Sequence, residues 1–182
     1  TNNRSKNSLS FGNIENDLLS HQLTFKHKLN RILFSSAVTF ENKNSKSENF
    51  ESKNYTFNEV KYGPKLSYFI QDNNKIDIYY QYSNKENLIS NFETLTQNKF
   101  GISSAFSNKN KLAINGELNY YKNKFKGNPN SIIGYIMMEG LQSGNNLTWT
   151  LSIQKKVTKS VDLNLNYFAR KSDNNSAIHN GS

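Results

Sequence analysis

The sequence predicts an all-β fold, an antiparallel up-and-down meander, on three observations. Long runs alternate apolar and polar residues with a period of two, the mark of a strand with one apolar and one wet face. The connections between runs alternate in length. Each run spans about ten residues, beyond the five or six of an ordinary globular strand and enough for a tilted strand to cross a bilayer.

Leu147–Lys171 shows the pattern most clearly. Leu147, Trp149, Leu151 and Ile153 alternate with Thr148, Thr150, Ser152 and Gln154. After the polar break at 155–160, Val161, Leu163, Leu165, Tyr167 and Ala169 oppose Asp162, Asn164, Asn166, Phe168 and Arg170. Two such runs joined by a few polar residues read as an antiparallel hairpin.

In chain order, residues 1–17 hold one short candidate strand, Ser8–Ile14, and read as the tail of an upstream segment or a first strand. Residues 18–182 read as one β-barrel segment. Leu19, Leu23 and Phe25 open the first alternating run, which turns at 28–31 into Ile32, Phe34, Val38 and Phe40. A polar loop is expected at 42–54. Tyr55–Gln71 reads as one strand, or as two pieces broken at Gly63-Pro64, because proline within a strand implies an edge, a bulge or a break. Asp72-Asn73-Asn74-Lys75 has turn composition, and Ile76, Ile78, Tyr80 and Tyr82 form the returning strand. A loop is expected at 83–91, then Phe100, Ile102 and Phe106, a turn at 108–111, and Leu112, Ile114, Leu118 and Tyr120.

Short connections thus fall at 28–31, 72–75, 108–111 and 155–160, and long ones at 42–54, 83–91 and 122–146. Short turns on one side and long loops on the other are the pattern of an outer-membrane barrel. The same parity places the apolar segment Ile132–Glu139 within one long loop, 127–146, packed over or into the barrel mouth. As a crossing strand it would move the short turn at 155–160 to the wrong side. About eight strands are countable, a minimal barrel once closed.

A soluble, surface-exposed β-sandwich acting as a binding or adhesion module shares the alternation and is the alternative reading. Strand length favours the barrel. So do the paired aromatics Tyr79/Tyr80, Tyr120/Tyr121 and Tyr167/Phe168, expected near strand ends as interfacial girdles, and a second face rich in Ser, Thr, Asn and Gln, suited to a wet lumen. Leu112, Ile114 and Leu118, then Leu147, Trp149, Leu151 and Ile153, then Val161, Leu163 and Leu165 are the expected lipid-facing residues. Lys99, Lys122 and Lys124 must then lie near strand ends. Ile132, Ile133, Tyr135, Met137 and Met138 form the compact apolar cluster of the long loop. It reads either as a loop anchor or as a partner-contact patch.

Composition narrows the function classes. Of 182 residues, 35% are hydrophobic, and no stretch reaches the length of a transmembrane helix. Ten tyrosines and twelve phenylalanines separate the chain from disordered sequences, which are poor in aromatics. With no cysteine, neither disulfides nor thiolate metal sites arise. The net charge of +9 is compatible with an anionic partner. Its lysines are dispersed in turns and loops, however, with no zinc-finger spacing, phosphate loop or RNP-like motif, so no nucleic-acid partner is expected.

No catalytic, cofactor or metal residues are assigned. His21 and His27 fall on one face but roughly 20 Å apart at strand rise, too far to share a metal, and His179 has no acidic neighbour. Asp77, Glu117 and Asp162 project from the polar face, where a network with Lys or Arg170 is expected. No Gly-x-Ser-x-Gly elbow is present.

Gly140-Leu141-Gln142-Ser143-Gly144-Asn145-Asn146-Leu147-Thr148-Trp149, followed by Ala169-Arg170-Lys171-Ser172 and Ala177-Ile178-His179-Asn180-Gly181, resembles the C-terminal strands of large outer-membrane β-barrel proteins of Bacteroidota. That pattern has a Gly-Leu-Gln-Pro-Gly-Lys-Asn turn, an Arg-Lys segment, an Ile-His-Thr-Gly element and a closing strand ending in an aromatic. Ser143 stands where proline is usual and Asn180 where threonine is usual. The resemblance covers about residues 135–181. It implies an outer-membrane location, lipid and other outer-membrane proteins as partners, no cofactor, and a non-enzymatic role in anchoring, transport, or an assembly or secretion complex. It also implies a longer chain whose final strand is missing here; separately, a start at Thr1 with neither methionine nor signal peptide reads as a processed or incomplete chain. An open barrel would present two unpaired edges to lipid.

Overall fold

The computed structural model describes residues 2–9, 12–51, 54–71, 74–89, 93–108, 112–158 and 161–173. Its strands are β1 (Asn2–Leu9), β2 (Gly12–Leu29), β3 (Ile32–Ser47), β4 (Tyr55–Gln71), β5 (Asn74–Asn87), β6 (Thr94–Asn108), β7 (Leu112–Lys126), β8 (Gly144–Lys156) and β9 (Asp162–Ser172), with one helix, α1 (Ile132–Met137), between β7 and β8. All nine strands form a single sheet in sequence order, each pairing antiparallel with the next. The sheet is open, with β1 and β9 at its edges.

Residues 1–17 do not hold a strand at Ser8–Ile14. Leu9 pairs with Gly12 across a hairpin, so that segment spans a reversal, and the ninth strand comes from Asn2–Leu9. β1 covers only Gly12–Leu19 of its neighbour. The expected loops at 42–54 and 83–91 are largely strand as well, since β3 continues to Ser47 and β5 to Asn87. Asn30, with φ 50°, sits in the two-residue turn between Leu29 and Ile32, a position that demands the left-handed conformation asparagine tolerates. β4 is one strand. Pro64 faces Ser36 of β3, while the β4–β5 ladder passes from Tyr62–Tyr82 to Lys65–Tyr79 without loss of register. Proline there removes a donor, not the strand.

The two faces differ sharply. On one, the rows Phe34–Leu66–Ile78–Ile102–Leu118–Trp149 and Tyr80–Phe100–Tyr120–Leu147 cross the sheet in register. Most of these side chains stay open, as at Ile78, 58% exposed, and Phe100, 54%, while Tyr80, Leu147 and Trp149 are half-buried among their neighbours. The other face carries Ser67, Asp77, Ser83, Lys85 and Asn119, all buried. A hydrophobic cluster there joins Phe57 and Leu95 to Met137 and Met138, with Tyr55, Phe125, Ile133 and Ile136 against them. The loop bearing α1 is therefore folded onto the polar face at the long-loop end.

Candidate functional site

The polar face and the loop covering it form the candidate site. Alternation within β3, β4 and β5 puts Glu41, Lys43, Glu59, Lys61, Ser83 and Lys85 on that face. Lys61 Nζ lies 3.0 Å from Glu41 and 3.3 Å from Glu59; Lys43 Nζ lies 3.1 Å and 3.5 Å from the same carboxylates. Ser83 donates to Glu59 at 2.8 Å. Lys85, 3% exposed, lies 3.7 Å from Glu59 and donates to the Met137 carbonyl at 3.0 Å and to Glu139 at 3.3 Å. A buried ammonium is tolerated only when paired and hydrogen-bonded. Here one of its partners is the last-turn carbonyl of α1, so the lysine ties the loop to the sheet.

Further contacts hold the same loop. Ser131 caps α1 by accepting from the Gly134 N–H at 2.9 Å. Arg170 of β9 donates to the Gly140 carbonyl at 2.7 Å, and Asn123 and Asn146 both donate to the Gln142 carbonyl. Glu139 and Gly140, with φ 56° and 76°, turn the chain from the helix toward β8. Gly134 packs so closely that a Cβ would lie 2.6 Å from the Asn128 carbonyl.

Two smaller clusters complete the polar face. Lys65 and Lys75 each lie 3.0 Å from Asp77. Tyr79 donates to Glu117 and Asn119 across β6, and Lys99 sits 5.2 Å above its ring. Beside them a recess of about 360 Å³ is lined by Gly63, Lys65, Tyr79, Ser103 and Glu117. The expected carboxylate–lysine network is present at Asp77 and Glu117, whereas Arg170 bonds the loop backbone and Asp162 is exposed. Among the described residues, no three His, Asp or Glu side chains converge as metal ligands. His21 and His27 are exposed on the apolar face, and His179 lies outside the described residues.

Of the expected lipid-facing residues, Leu112, Ile114 and Leu118 of β7, Leu147, Trp149, Leu151 and Ile153 of β8, and Leu163 and Leu165 of β9 share the apolar face through direct register. Val161 is exposed but lies in the turn, its carbonyl accepting from the Val157 and Thr158 N–H groups. In the loop cluster, Met137 and Met138 are fully covered by the chain itself and anchor the loop, with Ile133 packed beside them. Ile132, 45% exposed, and Tyr135, 63% exposed, lie outside that packing. The paired aromatics divide between faces, Tyr80 and Tyr120 on the apolar one, Tyr79 and Tyr121 on the polar one, and they mark the limit of the apolar rows rather than the strand ends. Sequence reasoning misses Glu59 and Lys85, the latter because its segment has the composition of a loop.

No protein-family model and no curated protein matches the chain.

Proposed function

We propose that this chain is a segment of an outer-membrane β-barrel of the Bacteroidota kind, non-enzymatic, serving as anchor, conduit or member of an outer-membrane assembly or secretion complex. The observation that carries it is the inversion of the usual soluble pattern. Charged and amide side chains are buried on one face, while aliphatic and aromatic rows lie largely open on the other, with no second layer among the described residues packed against them. An exposed apolar surface of that extent marks a membrane or a large interface, and apolar-out, polar-in alternation is the barrel arrangement. A sandwich needs a second sheet to cover the aliphatic face, and the strands form one sheet.

In this reading the apolar rows meet lipid and the ionic face lines the interior. The α1 loop caps that interior at the long-loop end, presenting Ile132 and Tyr135 to a protein partner. The bond from Arg170 to Gly140 ties β9 to the cap.

Trp149 is the only tryptophan and lies on the apolar face between Leu118 and Ala169. The full chain reconstituted into phosphatidylcholine vesicles is expected to float with them, and brominated acyl chains are expected to quench Trp149. Recovery in the aqueous fraction without detergent, with Trp149 unquenched, would overturn the reading.

A further inference from the structure

We propose that Lys122, Lys124 and Lys126 form a ladder that binds the phosphate groups of lipid headgroups in the leaflet on the long-loop side. The inference rests on the membrane reading above and adds a ligand class to one strand.

These lysines occupy successive same-face positions on β7, about 7 Å apart at strand rise, and all are exposed. Their surroundings differ from those of the polar-face lysines. Lys43, Lys61, Lys65, Lys75, Lys85 and Lys99 each lie within 4 Å of a carboxylate, whereas no carboxylate among the described residues pairs with the β7 ladder. The nearest acidic positions on that face by register are Glu86, two strands from Lys126 through Thr94, and Asp173, two strands from Lys122 through Asn145, whose carbonyl accepts from the Asp173 N–H.

Position selects the ligand. The ladder begins one same-face residue beyond Tyr120, where the apolar rows end. The Tyr120 hydroxyl donates to Asn145 at 2.8 Å and the Tyr80 hydroxyl to Asn98 at 2.6 Å. Asn98 and Asn145 are the register neighbours of Lys122 on either side. Two rings in the apolar row thus reach polar groups in the lysine row, the disposition of aromatic residues at a membrane surface. Thr94, beside Lys126, adds a hydroxyl donor, whereas the Thr96 hydroxyl beside Lys124 donates to Asn84 at 3.3 Å. A molecule whose phosphate meets these ammonium groups would lay its acyl chains along Tyr120 and Leu118. A free anion would use only the upper half of that surface. Each cation near an anionic surface contributes roughly a fivefold preference.

The test compares quenching of Trp149 by brominated phosphatidylglycerol and by brominated phosphatidylcholine in reconstituted full chain. The wild type is expected to prefer the anionic lipid several-fold. The preference should fall toward unity in Lys122→Gln/Lys124→Gln/Lys126→Gln, and in the wild type at high salt, where surface charge is screened. Lys155→Gln, at the opposite end of β8, should leave it unchanged. Equal quenching by both lipids in the wild type, or a preference untouched by the triple substitution, would overturn the ladder while leaving the barrel standing. Loss of the preference to millimolar inorganic phosphate at constant ionic strength would assign the site to free anions and overturn it too. Absence of quenching by either lipid would instead remove the membrane reading beneath it.

Discussion

The Tyr79 ring lies across the backbone of Gly101, its register partner on β6. A Cβ on Gly101 would sit 2.2 Å from the ring and 2.5 Å from the Asn119 side chain. Glycine at that point leaves the space through which Tyr79 spans β6 to reach Glu117 and Asn119 on β7.

Gly101→Ala is therefore expected to destabilise the sheet by about 1–3 kcal/mol, the range for overpacking, read as a lower urea midpoint. Tyr79→Ala in the same chain should recover part of the loss. Gly116→Ala is the control, because its Cβ would meet only Ser104 Oγ at 3.4 Å, and it should be nearly neutral. Equal losses at the two glycines would contradict the packing.

Arginine substitution on the apolar face should show a depth gradient. Leu151 lies midway along the apolar run of β8 and pairs with Gly116, whereas Leu163 pairs with Lys155 beside the short turn. Leu151→Arg is expected to cost about 2–4 kcal/mol and Leu163→Arg about 0–1 kcal/mol, as at a bilayer midplane and its border. Folding into vesicles against urea measures both; a reversed order would refute this placement of the apolar face.

Lys85→Met should loosen the loop without unfolding the sheet. Glu59 keeps Lys61 at 3.3 Å and Lys43 at 3.5 Å, so the loss stays below the roughly 3–5 kcal/mol of breaking an isolated buried pair. Chymotryptic cleavage at the exposed Tyr135 is expected to accelerate several-fold, with strand amide protection unchanged. Glu139→Gln should do far less, since that side chain is 60% exposed.

Ser131→Ala removes the side-chain cap of α1 and should cost about 1 kcal/mol, seen as faster amide exchange in residues 132–138. Gly134→Ala should do more, because the atom it would strike, 2.6 Å away, is backbone. If the two are indistinguishable, the close approach of α1 to Asn128 is not limiting.

The strands were legible in the sequence wherever hydrophobic contrast exists. From Ile76 to Tyr82 or from Leu147 to Ile153, apolar and polar residues alternate and the period reads directly. Beyond the apolar rows it vanishes. Ser83, Lys85 and Asn87 face inward while Asn84 and Glu86 face outward, and with both faces polar, period-two counting finds nothing. The ends of β3 and β5 therefore look like loop in the sequence, and nothing there places Lys85 on the face that uses it. The α1 segment was excluded as a strand by connection parity rather than by propensity. Its helical form depends on Ser131 as cap and on Met137 and Met138 finding Phe57 and Leu95, contacts that link distant parts of the chain.

Under the proposed barrel reading, the strict alternation also governs how the chain would travel before it folds. Each residue of the apolar rows is followed by one from the polar face, as in Thr148, Thr150 and Ser152 between Leu147 and Ile153. The unfolded polypeptide, with a mean hydropathy of −0.78, offers no run near the roughly 20 apolar residues that a helix-inserting translocon retains. Its oily surface exists only once the strands pair side by side, so an export channel would meet a hydrophilic thread and let it pass.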